Sequence, residues 1–360
     1  MGKDQKAVMG IDLGGTDFRY SVFEVSNGQV SGAALFKDTI PTEKGPDGLK
    51  RIMAQAHEKA INATSGYDII AIGLCSPGRP LSIPEAGPQA FVIAPGSAAN
   101  LEINPGELNG VNMQKLLQDA APNVPLYISN DAIVQMQAML VEVTRKIGST
   151  NFLGKKVGYI GLGSGLGGGF ANVSKRGTIS PQTDGHIYDV LLSMPEDIEW
   201  LHKKNETLPN GSKFQFHPGG SIRAEDILSG TSFSKMTGQP GTDFKNPESA
   251  ETVRPVLECM GRGLAELVIK IYDGELKKIS ADADWPAADL QEIKGTHTFL
   301  MGGGMANNPF LMKIIGRTAQ DKLREEGLKN VKFVSIADKE VTLAAANLVP
   351  SKLLQNSLQL

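Results

Sequence analysis

Asp12-Leu13-Gly14-Gly15-Thr16 closes an apolar run, Ala7-Val8-Met9-Gly10-Ile11, and leads into a second strand-like run at Tyr20-Ser21-Val22-Phe23. Strand, paired glycines and returning strand predict a β-hairpin. Adjacent glycines let a backbone approach an anion closely, and successive amide groups can cradle phosphate oxygens. An acidic residue just before such a turn can organise Mg²⁺ on the same phosphates, usually through water. A plain hairpin with a nearby aspartate is the equally open reading of this stretch alone.

Outward from this hairpin, a helix is expected near Leu49 to Asn62, a buried strand at Ile69–Leu74 and a helix from Met113 to Ala120. The strand Leu126-Tyr127-Ile128 ends at Ser129-Asn130-Asp131. After it, Ile133, Met136, Gln137 and Leu140 fall at the spacing of one helical face, and Ser129, Asn130 or Asp131 is placed to cap that helix. A second Gly-rich hairpin is expected between Val157–Ile160 and Gly169–Val173. The second half holds a helix from Glu251 to Lys270 interrupted by Gly261 and Gly263, each costing about 1 kcal/mol relative to Ala unless close packing or a ligand requires it. The strand Thr298–Met301, the triplet Gly302-Gly303-Gly304 and a helix from about Pro309 to Glu325 follow, an order suited to nucleotide contact at a strand's carboxyl end. Asn205–Ser212 and Thr237–Pro247 read as surface loops. Alternating strands and helices in both halves make the class α/β.

Gly161 to Gly169 formally contains G-x-G-x-x-G, but Phe170–Val173 reads as a returning strand where a dinucleotide site needs a helix. Gly154-Lys155-Lys156 lacks the hydroxyl residue of a P-loop. A hairpin turn bearing Ser164 still suits a phosphate cradle. Asp131, at a strand–helix junction, can take a proton from a hydroxyl while Asn130 orients the alcohol; simple helix capping is the plainer alternative. His186 reads equally as an ordinary loop histidine, and Glu225 as a solvated first-turn charge. His186, His202 and His217 match no short zinc spacing, and no Cys lies near them.

Taken in order, these pieces resemble the bacterial glucokinases and ROK sugar kinases of the actin-like ATPase superfamily. Asp12-Leu13-Gly14-Gly15-Thr16 with Arg19 is similar to the family's first phosphate motif, and Gly163-Ser164-Gly165-Leu166-Gly167 to its second. Ser76-Pro77-Gly78-Arg79 falls at the sugar loop and Ser129-Asn130-Asp131-Ala132 at the motif that carries the catalytic aspartate. Gly185-His186 matches a sugar contact, Ser221 to Gly230 the segment whose glutamate maps to Glu225, and Gly302-Gly303-Gly304 the adenosine motif. The resemblance implies a two-lobed, ribonuclease H-like fold, each lobe a mixed sheet flanked by helices. The small lobe would span residues 1–129, with a C-terminal helix 341–360 packing back on it, and the large lobe 130–340.

The implied activity is ATP-dependent phosphorylation of a hexose, glucose O6 foremost, with two lobes closing to exclude water. Asp131 is then the general base, and Asp12 holds Mg²⁺ through water. Gly14, Gly15, Thr16, Gly163, Ser164, Gly165, Gly302, Gly303 and Gly304 bind ATP. Ser76, Gly78, Arg79, Asn100, Asn130, Asp131, Thr183, Asp184, His186 and Glu225 line the sugar site. Two departures stand out. Where the family has Glu three residues before the histidine, this chain has Thr183 with Asp184 alongside, which bears on the hexose used. The Cys-rich zinc segment of ROK kinases is absent, which places the chain nearer the glucokinase branch.

Other classes compete. A sugar-sensing repressor needs a helix-turn-helix, for which the residues ahead of Asp12 are too few. A catalytically silent sugar- or nucleotide-binding paralogue and a filament-forming actin relative are the remaining rivals. With 360 residues, 41% hydrophobic, 21% charged and a net charge of −3, the chain has no electrostatic footprint for nucleic acid or an anionic membrane. It shows no signal peptide and only two distant cysteines, Cys75 and Cys259, so a reducing cytoplasm is the expected setting and a homodimer one expected assembly.

Overall fold

The computed structural model describes residues 5–81, 90–148, 151–176, 179–183, 187–208, 213–277, 287–335, 340–350 and 353. The chain divides into two compact units, Met1–Ala138 with Lys339–Leu360, and Met139–Asp338.

The first unit opens with β1 (Gln5–Leu13), β2 (Asp17–Ser26) and β3 (Gln29–Pro41), an antiparallel meander. Helix α1 (Gly45–Ala63) carries Pro46 in its first turn, where no helical carbonyl would use the amide that proline lacks, and buries the stripe Leu49, Ile52, Met53, Ala56 and Ala60. Strand β4 (Tyr67–Ser76) pairs parallel to β1. A ribbon of β5 (Pro80–Leu81) and β6 (Val92–Ile93), helix α2 (Met113–Gln118) and strand β7 (Leu126–Asn130) complete the order β3-β2-β1-β4-β7. From the end of β7, α3 (Asp131–Ile147) begins directly, capped by Asn130, whose Oδ1 accepts from the amides of Ala132 and Ile133 at 3.0 and 3.3 Å.

The second unit repeats the plan. Strands β8 (Lys155–Leu162), β9 (Leu166–Val173) and β10 (Ile179–Thr183) form an antiparallel meander. The return of β9 as a strand is what removes the dinucleotide-site reading of Gly161–Gly169. A ribbon of β11 (Leu191–Leu192) and β12 (Ile222–Arg223) brackets α4 (Ile198–Thr207). Helices α5 (Glu225–Leu228), α6 (Gly230–Thr237), α7 (Pro247–Glu251), α8 (Arg254–Asp273) and α9 (Ala287–Ile293) lead to β13 (Thr298–Gly302), α10 (Gly303–Ala306), α11 (Pro309–Glu325) and β14 (Lys332–Ser335). The sheet order is β10-β9-β8-β13-β14, with β13 parallel to both neighbours. The described parts of the expected loops carry helical turns: Asn205–Thr207 end α4, and Gly241–Asp243 form a 3-10 turn. Gly261 answers a packing demand, since a Cβ there would lie 2.6 Å from Thr318 Cβ and 2.8 Å from the Ile315 carbonyl of α11.

Helix α12 (Val341–Ala346) returns to the first unit and lies on β1 and β4. It ends at Ala346 with Asn347 as its C-cap, so the expected helix 341–360 breaks at 347–350, where Pro350 cannot continue it; residues 351–352 and 354–360 lie outside the described residues. Its seat is a slot made by Gly10 and Gly73, partners across β1 and β4. A Cβ at either would stand 1.9 Å from a helix carbonyl, of Thr342 and Ala345 respectively. Among the described residues, no helix is long and apolar enough to cross a membrane.

Candidate functional site

In the first unit, strand register gathers the polar residues at one end of the sheet. Asp12 stands opposite Arg19 on β2 and Cys75 on β4, while Cys75 and Ser76 stand opposite Ser129 and Asn130 on β7. The three parallel strands therefore deliver Asp12, Cys75 and the start of α3 to the same carboxyl edge, where ligands bind in open α/β sheets. Arg19 Nη1 donates to Asp12 Oδ2 at 3.2 Å, and the Cys75 thiol donates to Asp12 Oδ1 at 3.2 Å. Burial, then the charges of Asp12 and Asp131, push the Cys75 thiol well above its usual range, so it stays protonated and acts as a donor. Burial pushes the Asp131 carboxyl up to about 7, and the Asp12 charge adds to this; the amide of Ala132, at 2.8 Å from Asp131 Oδ1, offsets part of it.

The first glycine turn is tied at its edges. Gly14 N donates to Asp17 O and Thr42 Oγ1 to Gly14 O. Among the described residues, the amides of Gly15 and Thr16 meet no acceptor. Neither Gly14 nor Gly15 has positive φ. Asn100 packs closely on Gly15: its Cβ and Nδ2 lie 3.0 and 3.1 Å from where a Cβ would stand. Exposed Asn100, in the 3-10 turn Ala99–Leu101, is thereby set beside the phosphate-type turn.

The Ser76–Arg79 loop is pinned from several sides. Ser76 is fully buried and donates to Pro77 O, so it orders the loop from within. Gly78 adopts φ 107° and its carbonyl accepts from Asn130 Nδ2 at 3.0 Å. The Arg79 amide donates to Ser97 Oγ. Asn130 is thus both helix cap and loop tie.

In the second unit, the turn Gly163–Gly165 joins β8 to β9. Its carbonyls are stitched to the start of α6: Gly230 N donates to Gly163 O at 2.6 Å, and Thr231 Oγ1 to Ser164 O at 2.7 Å. Among the described residues, the amides of Ser164 and Gly165 meet no acceptor. Gly303, at φ 86°, packs on the same turn; a Cβ there would lie 2.4 to 2.5 Å from the backbone of Leu162 and Gly163. Gly302 pairs with Gly161, and Gly304 faces open space. Glu225 opens α5, and its Oε1 accepts from Leu166 N at 3.4 Å. Burial raises its pKa, partly countered by Arg223, whose Nη2 lies 3.6 Å from Oε2. Thr183 ends β10 opposite Phe170; its side chain, with Asp184, Gly185 and His186, lies outside the described residues.

Sequence reasoning passed over Cys75 as a partner of Asp12, because no local pattern encodes the β1–β4 register. It also passed over Gly230 and Thr231 as anchors of the second turn; their adjacency to the Ser229 cap was the only available signal.

Two glycine-turn meanders, each followed by parallel strands, define an α/β fold, and solved structures share it. ROK hexokinase from Thermus thermophilus is 21% identical, with TM-score 0.53 over 95% of this chain and 97% of its own. Glucokinase from Balamuthia mandrillaris, solved with glucose, is 12% identical, with TM-score 0.63 over 96% and 93%. A ROK family transcriptional regulator, a homologue of the E. coli MLC protein, is 14% identical, with TM-score 0.61 over 98% of this chain and 79% of its own. No described protein family matches the chain by sequence, and no curated protein does. The fold is similar to that of these ROK and hexokinase structures. Since it serves kinases and a regulator alike, function rests on the site.

Proposed function

We propose that the protein is an ATP-dependent hexose kinase, with Asp131 as general base. The observation that carries this reading is a carboxyl at the sheet's carboxyl edge, pushed up to about 7, beside Asp12 and a glycine turn whose Gly15 and Thr16 amides meet no acceptor among the described residues. A base of that strength can take a hydroxyl proton at neutral pH. As the hydroxyl oxygen bonds to the γ-phosphorus, its proton passes to Asp131, the β–γ bridging bond breaks and ADP leaves. Phosphoryl transfer asks mainly for positioning and charge stabilisation. Asp131 would be the base, and the Gly15 and Thr16 amides of one turn and the Ser164 and Gly165 amides of the other would each suit phosphate oxygens, with Gly303 shaping the second turn.

Among the described residues, no cluster of three or more His, Cys, Asp or Glu could hold a metal alone. One carboxylate with hydrogen-bonded oxygens, as at Asp12, fits Mg²⁺ that keeps most of its waters and is otherwise held by phosphates. There Mg²⁺ would offset phosphate charge. Glu225, Asn100, Arg79 and His186 would meet the sugar, and a homodimer remains the assembly we propose. Thr183, in the place of the family's glutamate, favours a hexose or amino sugar other than glucose, or a silent binding paralogue, as the second reading. A coupled ADP-release screen over hexoses, amino sugars and polyols decides between them. Sugar-dependent ADP release is expected; its absence with every sugar, while nucleotide still binds, would establish the silent paralogue.

A further inference from the structure

Glu225 is assigned above to the sugar, yet its carboxylate rests on the phosphate-type turn of its own unit. Oε1 accepts from the amide of Leu166, the residue that closes the turn. A Cβ on Gly165 would stand 2.7 Å from that same oxygen and meets no other side chain or backbone within van der Waals range, so glycine at 165 makes room for this carboxylate. The segment that carries Glu225 is bonded to the turn as well. Gly230 N reaches Gly163 O, Thr231 reaches Ser164 O through both its amide and its hydroxyl, and Ser232 Oγ holds the Glu225 carbonyl at 2.9 Å. Arg223 touches the other carboxylate oxygen but is shared with Asp226 at 3.1 Å and Asp189 at 3.7 Å, so one cation faces three carboxylates.

A negative charge bonded to an amide at the edge of a phosphate cradle opposes phosphate in two ways. It repels the anion, and it engages an amide at the cradle's edge. A sugar hydroxyl that draws the carboxylate onto itself relieves both. Resting on the kinase reading, we propose that Glu225 is a coupling residue: with no hexose bound it lowers the affinity of the Gly163–Gly165 turn for the nucleotide phosphates, and hexose binding releases that restraint. Coupling between two ligands is reciprocal, so nucleotide tightens hexose by the same factor. The device would hold back ATP use until an acceptor is present, a need every kinase faces because water competes for the phosphoryl group.

Isothermal titration of the full chain with Mg²⁺ and a non-hydrolysable ATP analogue, without sugar, tests this. Glu225→Gln removes the charge and keeps the shape, and it should bind the analogue about fivefold or more tightly than the wild type. Saturating glucose should tighten the wild type toward the Glu225→Gln value and leave that variant nearly unmoved. A pure sugar contact would change nothing in the sugar-free titration. If Glu225→Gln does not fold, Glu225→Asp, which withdraws the carboxylate from Leu166 while keeping its charge, should shift affinity in the same direction. Equal sugar-free affinities for wild type and the folded variant would overturn the coupling alone. A wild type that binds no nucleotide in either condition would overturn the kinase reading beneath it.

Discussion

Asp131→Asn should abolish phosphoryl transfer and, at the same time, stabilise the fold in a pH-dependent way. Asp131 ionises near 7 in the native protein against 3.8 as a free side chain. Between those values the native state holds a proton that the unfolded state has lost, so stability falls as pH rises from about 4 to about 7. The gap of about 3 units corresponds to a ceiling of roughly 4 kcal/mol once the group is fully ionised. Asparagine carries no charge and keeps an oxygen for the Ala132 amide, which now bonds Asp131 Oδ1 at 2.8 Å. The variant should therefore melt several degrees above wild type near pH 8, with the difference shrinking toward pH 5. Circular dichroism melts across that range provide the measurement. In the wild type the rising limb of turnover should lie near pH 7, because the base must be ionised to accept a proton. A melting difference equal at both ends of the range would refute the raised ionisation, and so would a rising limb near pH 4.

Two packing predictions accompany it. Gly303→Ala combines positive φ with a backbone clash against Leu162 and Gly163. It should cost about 2 kcal/mol or more and abolish nucleotide binding, whereas Gly304→Ala, facing open space, should melt like wild type. Gly73→Ala puts a methyl 1.9 Å from the Ala345 carbonyl and should lift α12 from its slot. Hydrogen exchange at Val341–Ala346 should then rise sharply; unchanged protection there would show that the slot does not hold the helix.

Much of the secondary structure is legible locally. The helix expected from about Pro309 to Glu325 appears at those bounds, α3 follows the apolar spacing of Ile133, Met136 and Leu140, and it takes its cap from one of the three residues named for it, Asn130. The two glycine hairpins are also local, because turn chemistry and strand alternation involve neighbours in the chain. Other features are not. Gly10 and Gly73 read as ordinary strand glycines until α12 is seen to run over them. Gly261 reads equally as ligand approach or packing until α11 is seen against it.

By itself, the sequence determined the repeated hairpins, the α/β class and the short stretches able to meet phosphate, because each depends on residues within hydrogen-bonding reach along the chain. Only the tertiary structure decided that Cys75 and Arg19 share the two oxygens of Asp12, that Asp12 raises the ionisation of Asp131, and that Glu225 leans on Gly165. Those pairs are set by strand register and helix placement. Both are chosen by the packing of side chains far apart in sequence, and no local pattern carries that information.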